Sequence, residues 1–276
     1  MRVFVTGASG QLGREVCRVL AARGIEHKGV SSRELDITDR SAVDRVLNDY
    51  APDAVIHCAA YTAVDKAEGE AELCRRVNAG GTANIAAACA RLGGKLLCVS
   101  TDYVFSGEGD APWEVTDCPA PRNVYGESKL AGERALRAAV EKHFIVRTSW
   151  VFGEGKNFVK TMLRLAESRE EVSVVADQVG SPTYAADLAP LLCDMIETER
   201  YGVYHAANEG FCSWAEFAAA IFRTAGKATR VRPIPTAEYP TAAVRPLNSR
   251  LSCRSLDEAG FARLPPWEDA LERYLK

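Results

Sequence analysis

Short apolar runs alternate along this chain with stretches in which apolar residues recur every three or four positions. The runs Arg2–Thr6, Glu26–Val30, Ala54–Cys58, Lys95–Ser100 and Phe144–Thr148 read as strands. Between the first two, Leu12, Val16, Val19 and Leu20 carry the spacing of one buried helix face. Ala42, Val43, Val46 and Leu47 mark a second helix, and Ile85, Ala86, Cys89 and Leu92 a third. Strands that alternate with helices imply right-handed crossovers and a parallel sheet covered on both faces. The predicted fold class is α/β, with a doubly wound parallel sheet.

After Val151 the pattern loosens. Helices are predicted over Phe158–Ala166 and Leu188–Ile196, alternating with strand-like runs at Val172–Val175 and Val203–Ala206. A further helix pattern, Trp214–Ala225, precedes a proline-containing stretch from Pro233 to Pro246. The predicted division is a sheet domain over 1–150 and a smaller C-terminal lobe over 151–276. The segments near 172–175 and 203–206 are expected to return to the sheet.

Composition narrows the class. Of 276 residues, 47% are hydrophobic and 26% charged, enough for a globular core without a metal or disulfide staple. Thirty-four Lys+Arg against 37 Asp+Glu gives a formal charge of -3, which argues against a nucleic-acid binder. No apolar run approaches the ~18 residues of a membrane span, so no membrane partner is expected. The opening MRVFVTG is too short in apolar residues for a signal-peptide core. Nine cysteines without a C-x-x-C pair read as reduced thiols, so a cytoplasmic location and no zinc site are expected.

The first chemical feature is TGASGQLG, Thr6–Gly13, placed where a strand gives way to a helix. Gly7, Gly10 and Gly13 have a G-x-x-G-x-x-G spacing, which departs from the G-x-G-x-x-G dehydrogenase fingerprint. The physics is shared: glycines allow a tight turn and a close approach to pyrophosphate, whose charge meets a helix N-terminus. In this context dinucleotide binding outweighs an ordinary glycine turn. The sheet domain is therefore read as a Rossmann-like NAD(P)-binding domain, and the second lobe as substrate-binding.

The second feature sets the chemistry. Tyr125 and Lys129 in VYGESK are four residues apart, on one face of a helix. Ser100-Thr101-Asp102-Tyr103 follows the strand LLCVS and so lies at the carboxyl edge of the sheet, where ligands of open α/β sheets bind. A hydroxyl, a phenol and an ammonium beside a nicotinamide can reduce a carbonyl. An ammonium 4 Å from the phenol is worth about 4 kcal/mol at an effective dielectric near 20, roughly three pK units at most. The expected direction is downward, toward the working pH.

In the order loop, Thr, Tyr, Lys, the arrangement resembles the extended short-chain dehydrogenase/reductase superfamily. VNAGGTANIAAAC, STDYVFSGEGDAPW, NVYGESKLAGE, RTSWVFGEGKNF and RPLNSRLS further resemble the dTDP-4-dehydrorhamnose reductase family, with blocks spread over nearly the whole chain. That resemblance implies NADPH- or NADH-dependent reduction of the 4-keto group of dTDP-6-deoxy-L-lyxo-4-hexulose to dTDP-L-rhamnose. By it, Tyr125 donates the proton, Thr101 binds the substrate carbonyl, and Lys129 holds the nicotinamide ribose and tunes Tyr125. Asp102, Tyr103 and Trp150 would touch the sugar. Gly10-Gln11-Leu12, Asp36-Ile37 and Ala60-Tyr61-Thr62 would line the cofactor. Some members are homodimers bridged by a metal between glutamates; Glu15 and the Trp267-Glu268-Asp269 region are possible sources of ligands, but no metal is assigned. The alternatives within the superfamily are a regulatory subunit of the methionine adenosyltransferase type and a nucleotide-sugar epimerase.

Two further expectations concern charge. An acid after the second strand would bind a ribose 2′-hydroxyl, whereas here Ser31-Ser32-Arg33 suits a 2′-phosphate, so NADPH is expected, with NADH usable. Arg245 in RPLNSRLS is expected to meet the substrate diphosphate, the competing reading being a pair with an acid of the C-terminal region. His57 reads as a satisfied core histidine, Cys58 and Cys98 as small buried hydrophobes, and Trp267 as a packing anchor. The acids Glu68, Glu70 and Glu72 read as a solvated loop or helix start.

Overall fold

The computed structural model describes residues 1–276. Six parallel strands form the central sheet: β1 (Arg2–Thr6), β2 (Glu26–Val30), β3 (Ala54–His57), β4 (Lys95–Thr101), β5 (His143–Thr148) and β6 (Gly202–His205). Their order is β6-β5-β4-β3-β1-β2. The chain leaves β1 toward β2 and later returns to the other side of β1 as β3. The crevice between the carboxyl ends of β1 and β3 is thus a topological switch point, the usual ligand position in such sheets.

The strands hold because successive side chains point to opposite faces, and both faces are apolar. Val3, Val5, Ile56, Leu97, Phe144 and Val146 enter one core, against α1 (Gln11–Ala22). Phe4, Val55, Leu96 and Ile145 enter the other, against α2 (Arg40–Tyr50) and α3 (Thr82–Leu92). Helix α4 (Val124–Ala139) adds Leu136 to that second face. Asp39 caps α2 by accepting from Ala42 N, and Asn123 caps α4 by accepting from Gly126 N.

The second half divides less cleanly than the sequence implies. Helix α5 (Ala185–Ile196) packs on the central sheet, and β6 extends it beside β5. The segment 171–175 does not return to that sheet; it pairs with 230–234 in a separate two-stranded sheet. The reason lies in its partners: Val172 and Val174 belong to a third core with Phe152, Val159, Met162 and Trp267. That core also takes Phe217 and Ile221 from α6 (Trp214–Thr224), whose start is fixed by a capping box between Ser213 and Glu216. Trp267 is indeed a packing residue, 6% exposed. No helix is long and apolar enough to cross a membrane.

Candidate active site

A cavity of about 630 Å³ opens at the carboxyl edge of β1, β3, β4 and β5, between the sheet and the second lobe. One end is the glycine loop. Gly10, the residue before α1, offers no side-chain cap, so the first amides of α1 keep free donors beside the cavity. A Cβ on Gly13 would stand 2.2 Å from the carbonyl oxygen of Gly7, so only glycine lets α1 start this close to the turn. Gly7, Gly10, Gln11, Leu12 and Gly13 all line the cavity, as do Ser32, Ala60 and Thr62. Free amides at a helix start with a turn closed by glycine fit a pyrophosphate.

Other residues expected at the cofactor do not line the cavity itself. Asp36 accepts from the backbone and hydroxyl of Thr38, bonds that hold its carboxyl below the usual range. Ile37 is buried, and a Cβ on Gly81 would stand 2.6 Å from its Cδ1. The Tyr61 hydroxyl donates to Glu70 at 2.5 Å, which pushes the phenol up to about 12. Arg33 is exposed and outside the cavity wall, while its neighbour Ser31 is tied to Glu34 through backbone and hydroxyl. Of the acids after β3, Glu70 and Glu72 stand at the start of the short helix Ala71–Arg75, as expected, while Glu68 accepts from Val124 N at the start of α4.

The other end holds Thr101, Tyr125 and Lys129, brought together by β4 and α4. Tyr125 packs edge-on to Tyr103, ring centroids 5.5 Å apart. Lys129 is buried, and its Nζ donates to the Val99 carbonyl at 2.7 Å. The expected downward shift of Tyr125 is overturned: burial raises its pKa, with the Thr101 hydroxyl drawing it only partly back. Loss of phenolate hydration outweighs the ammonium, which is engaged by a carbonyl. A phenol kept protonated is nevertheless what a proton donor requires.

Thr101 donates to Asp102 Oδ1 at 2.9 Å. Burial pushes the Asp102 carboxyl up to about 6, against the pull of the Ser249 and Thr101 hydroxyls. Asp102 Oδ2 is fully enclosed on the Ser249 side, and neither it nor the Ser249 hydroxyl has another hydrogen-bond partner. Trp150 closes the far side with a φ of 48°, a left-handed conformation that costs about 1 kcal/mol or more for a residue with a side chain. Arg245 lies behind the wall and pairs with Asp65 at 2.5 Å, also donating to the Tyr103 hydroxyl at 3.3 Å. Its acid partner comes from the sheet half, which corrects the competing reading of a C-terminal one.

The profile of the RmlD substrate binding domain matches residues 1–276. The chain belongs to that family. A dTDP-4-dehydrorhamnose reductase of Mycobacterium tuberculosis is 46% identical over 278 residues, covering 98% of this chain and 91% of that protein. The crystal structure of a dTDP-4-dehydrorhamnose reductase from Clostridium acetobutylicum superposes with a TM-score of 0.98 at 41% identity, covering 100% of this chain and 98% of that one. That of the Bacillus anthracis reductase, in complex with NADP, gives 0.96 at 46% identity, covering 99% and 98%.

Within this family frame, two parts of the site escaped the sequence reading. Trp214, the first residue of α6, lines the cavity and stacks on Trp150 with centroids 3.7 Å apart. Its signal was present in the capping-box pattern SWAE, which puts Trp214 in the first turn of a helix, but nothing local aims that turn at the cavity. Asn78 sits in a π-helical turn, Arg76–Gly81. Its side chain accepts from Tyr61 N at 2.8 Å and donates to Ser128 Oγ at 2.9 Å, tying the loop after β3 to α4. His57, as expected, is satisfied, between Thr6 at 2.7 Å and Thr82 at 3.1 Å. Burial raises the thiol pKa of both Cys58 and Cys98; Cys98 is buried as expected, whereas Cys58 is only half-buried and lines the cavity.

Proposed function

We propose that this chain reduces the 4-keto group of dTDP-4-dehydro-6-deoxy-L-mannose (dTDP-6-deoxy-L-lyxo-4-hexulose) to dTDP-L-rhamnose, with NADPH as the reductant. The observation that carries this reading is the convergence of Thr101, Tyr125 and Lys129 at one end of a cavity whose other end is the glycine loop. NADPH, when bound, supplies the hydride to the carbonyl carbon. The residues of this chain do the rest. Thr101 donates a hydrogen bond to the carbonyl oxygen in place of its bond to Asp102. Tyr125 delivers its buried proton to that oxygen, and the phenolate left behind is reprotonated by water. Lys129, already positioned by the Val99 carbonyl, stabilises that phenolate and binds the nicotinamide ribose.

Asp102, on the cavity wall beside Thr101, suits a sugar hydroxyl. The Trp150–Trp214 stack gives the hexose an apolar wall. Arg245 turns from Asp65 toward the diphosphate. Ser32 and Arg33 receive the 2′-phosphate of the cofactor. The test is stoichiometric NADPH oxidation with dTDP-6-deoxy-L-lyxo-4-hexulose, followed by absorbance, with rhamnose identified in the product. An epimerase or a regulatory subunit would consume no NADPH, and either result would reject the reading.

A further inference from the structure

Behind the reacting groups lies a buried ion pair that the chemistry above does not use. Glu133 stands one turn beyond Lys129 and two beyond Tyr125 on α4, along the same face. Arg147 in β5 lies directly across from Ser100 of β4, one residue before Thr101. Both side chains of the pair are 3% exposed. Arg147 Nε donates to Glu133 Oε1 at 3.0 Å and Nη2 to Oε2 at 2.8 Å, while Ser100 Oγ donates to Oε1. One carboxylate on the helix thus takes three hydrogen bonds from two adjacent strands.

Val99, Ser100 and Thr101 are consecutive on β4: the Val99 carbonyl accepts from Lys129 and the Ser100 hydroxyl donates to Glu133, while the Thr101 hydroxyl lies near Tyr125. Two glycines let α4 lie close to its neighbours: a Cβ on Gly126 would stand 2.1 Å from the Tyr103 carbonyl just after β4, and one on Gly132 2.5 Å from that of Asn78 in the π-helical turn. Close packing of this kind limits distance but says little about sliding along the strands. A bidentate fork fixes both distance and angle. An apolar pair of similar volume would fill the space as stably, or more so, since desolvating two charges offsets much of their attraction. What the charged pair adds is therefore direction. On its other face the guanidinium lies 5.0 Å over the Phe105 ring. Phe105 stacks on Trp113, whose Nε1 donates to the Asn248 carbonyl three residues after Arg245.

We propose that the Glu133–Arg147 pair is a positioning device for the reduction: it holds α4 in register against β4 and β5 so that Tyr125 and Thr101 reach the carbonyl oxygen together. This rests on the reading of Thr101, Tyr125 and Lys129 as the reacting set. Neither Glu133 nor Arg147 lines the cavity, so their effect falls on kcat and not on binding.

The experiment compares Glu133→Gln with the double variant Glu133→Leu/Arg147→Met in the full chain. The double variant removes the pair without leaving an unpaired buried charge, and so serves if the single variant does not fold. NADPH binding is measured by fluorescence titration, which also counts competent sites, and turnover per competent site by NADPH oxidation. A shift of the reacting atoms by a fraction of an ångström is expected to lower kcat per site about tenfold or more, with NADPH Kd and sugar KM within about threefold of the parent. A folded double variant whose kcat per site falls by less than about tenfold overturns the proposal. So does a kcat loss matched by equal losses in both binding constants. Tyr125→Phe in the same assay separates the two failures. If it turns over normally, the reacting set is misassigned; if it is inactive while the double variant is normal, only the positioning role falls.

Discussion

The two walls of the cavity are built differently. On the sheet wall, the glycine loop and the reacting groups come from three contiguous stretches, Gly7–Gly13, Thr101–Tyr103 and Tyr125–Lys129, each presented by the end of a strand or the first turns of a helix. The lobe wall joins Trp150, Trp214 and, behind it, Arg245, which are far apart in sequence and meet only through tertiary packing. On the function proposed above, the sheet wall carries groups that must be placed to fractions of an ångström for hydride and proton transfer. On the same reading the lobe wall recognises the substrate, and recognition tolerates assembly from variable connections.

If that contrast is right, substitutions on the sheet wall damage turnover and substitutions on the lobe wall damage substrate affinity. The largest effect is expected for Tyr125→Phe, which should lower kcat by about 10²–10⁴ while NADPH binding stays near normal. Steady-state kinetics with a parallel cofactor titration checks it, and an ordinary kcat would break the assignment. Arg245→Ala should raise KM for the nucleotide-sugar by the worth of a charged hydrogen bond, about 1.5–3 kcal/mol or roughly 10- to 150-fold, with kcat little changed. A normal KM together with a lowered melting temperature would show Arg245 to act only through Asp65. Trp214→Ala removes the stack under Trp150 and should cost about 0.5–1.5 kcal/mol in sugar affinity, roughly two- to tenfold in KM, with NADPH Kd unaltered. A change in NADPH affinity instead would place Trp214 on the wrong side of the comparison.

The smallest effect is on the outer rim of the sheet wall. Arg33 is exposed, so its contribution to the 2′-phosphate is screened. Arg33→Ala should reduce the kcat/KM preference for NADPH over NADH by about 0.2–1 kcal/mol, up to roughly fivefold. An unchanged preference would move the discrimination to Ser32.

What could be read in advance follows the same division. The glycine loop and the Tyr125–Lys129 pair were legible because their geometry is set within a few residues: a turn that tolerates only glycine at Gly13, and one helical repeat. Trp214 was not, because the capping box beside it fixes where α6 begins but not what its first turn faces. Arg245 was picked out by its chemistry, yet its partner Asp65 lies 180 residues away and no local pattern joins them. The strand at 171–175 shows the same limit, since apolar alternation specifies a strand but not its sheet.

Sequence alone determined the period of each element, the chemistry at the strand ends and the family to which the motifs point. Tertiary structure decided which strands share a sheet, that burial and not Lys129 dominates the pKa of Tyr125, and which side chains meet across the cavity. The physical reason is range. Backbone preference, capping and helical spacing act over a few residues. Desolvation, stacking and ion pairing depend on neighbours that the folded chain alone supplies.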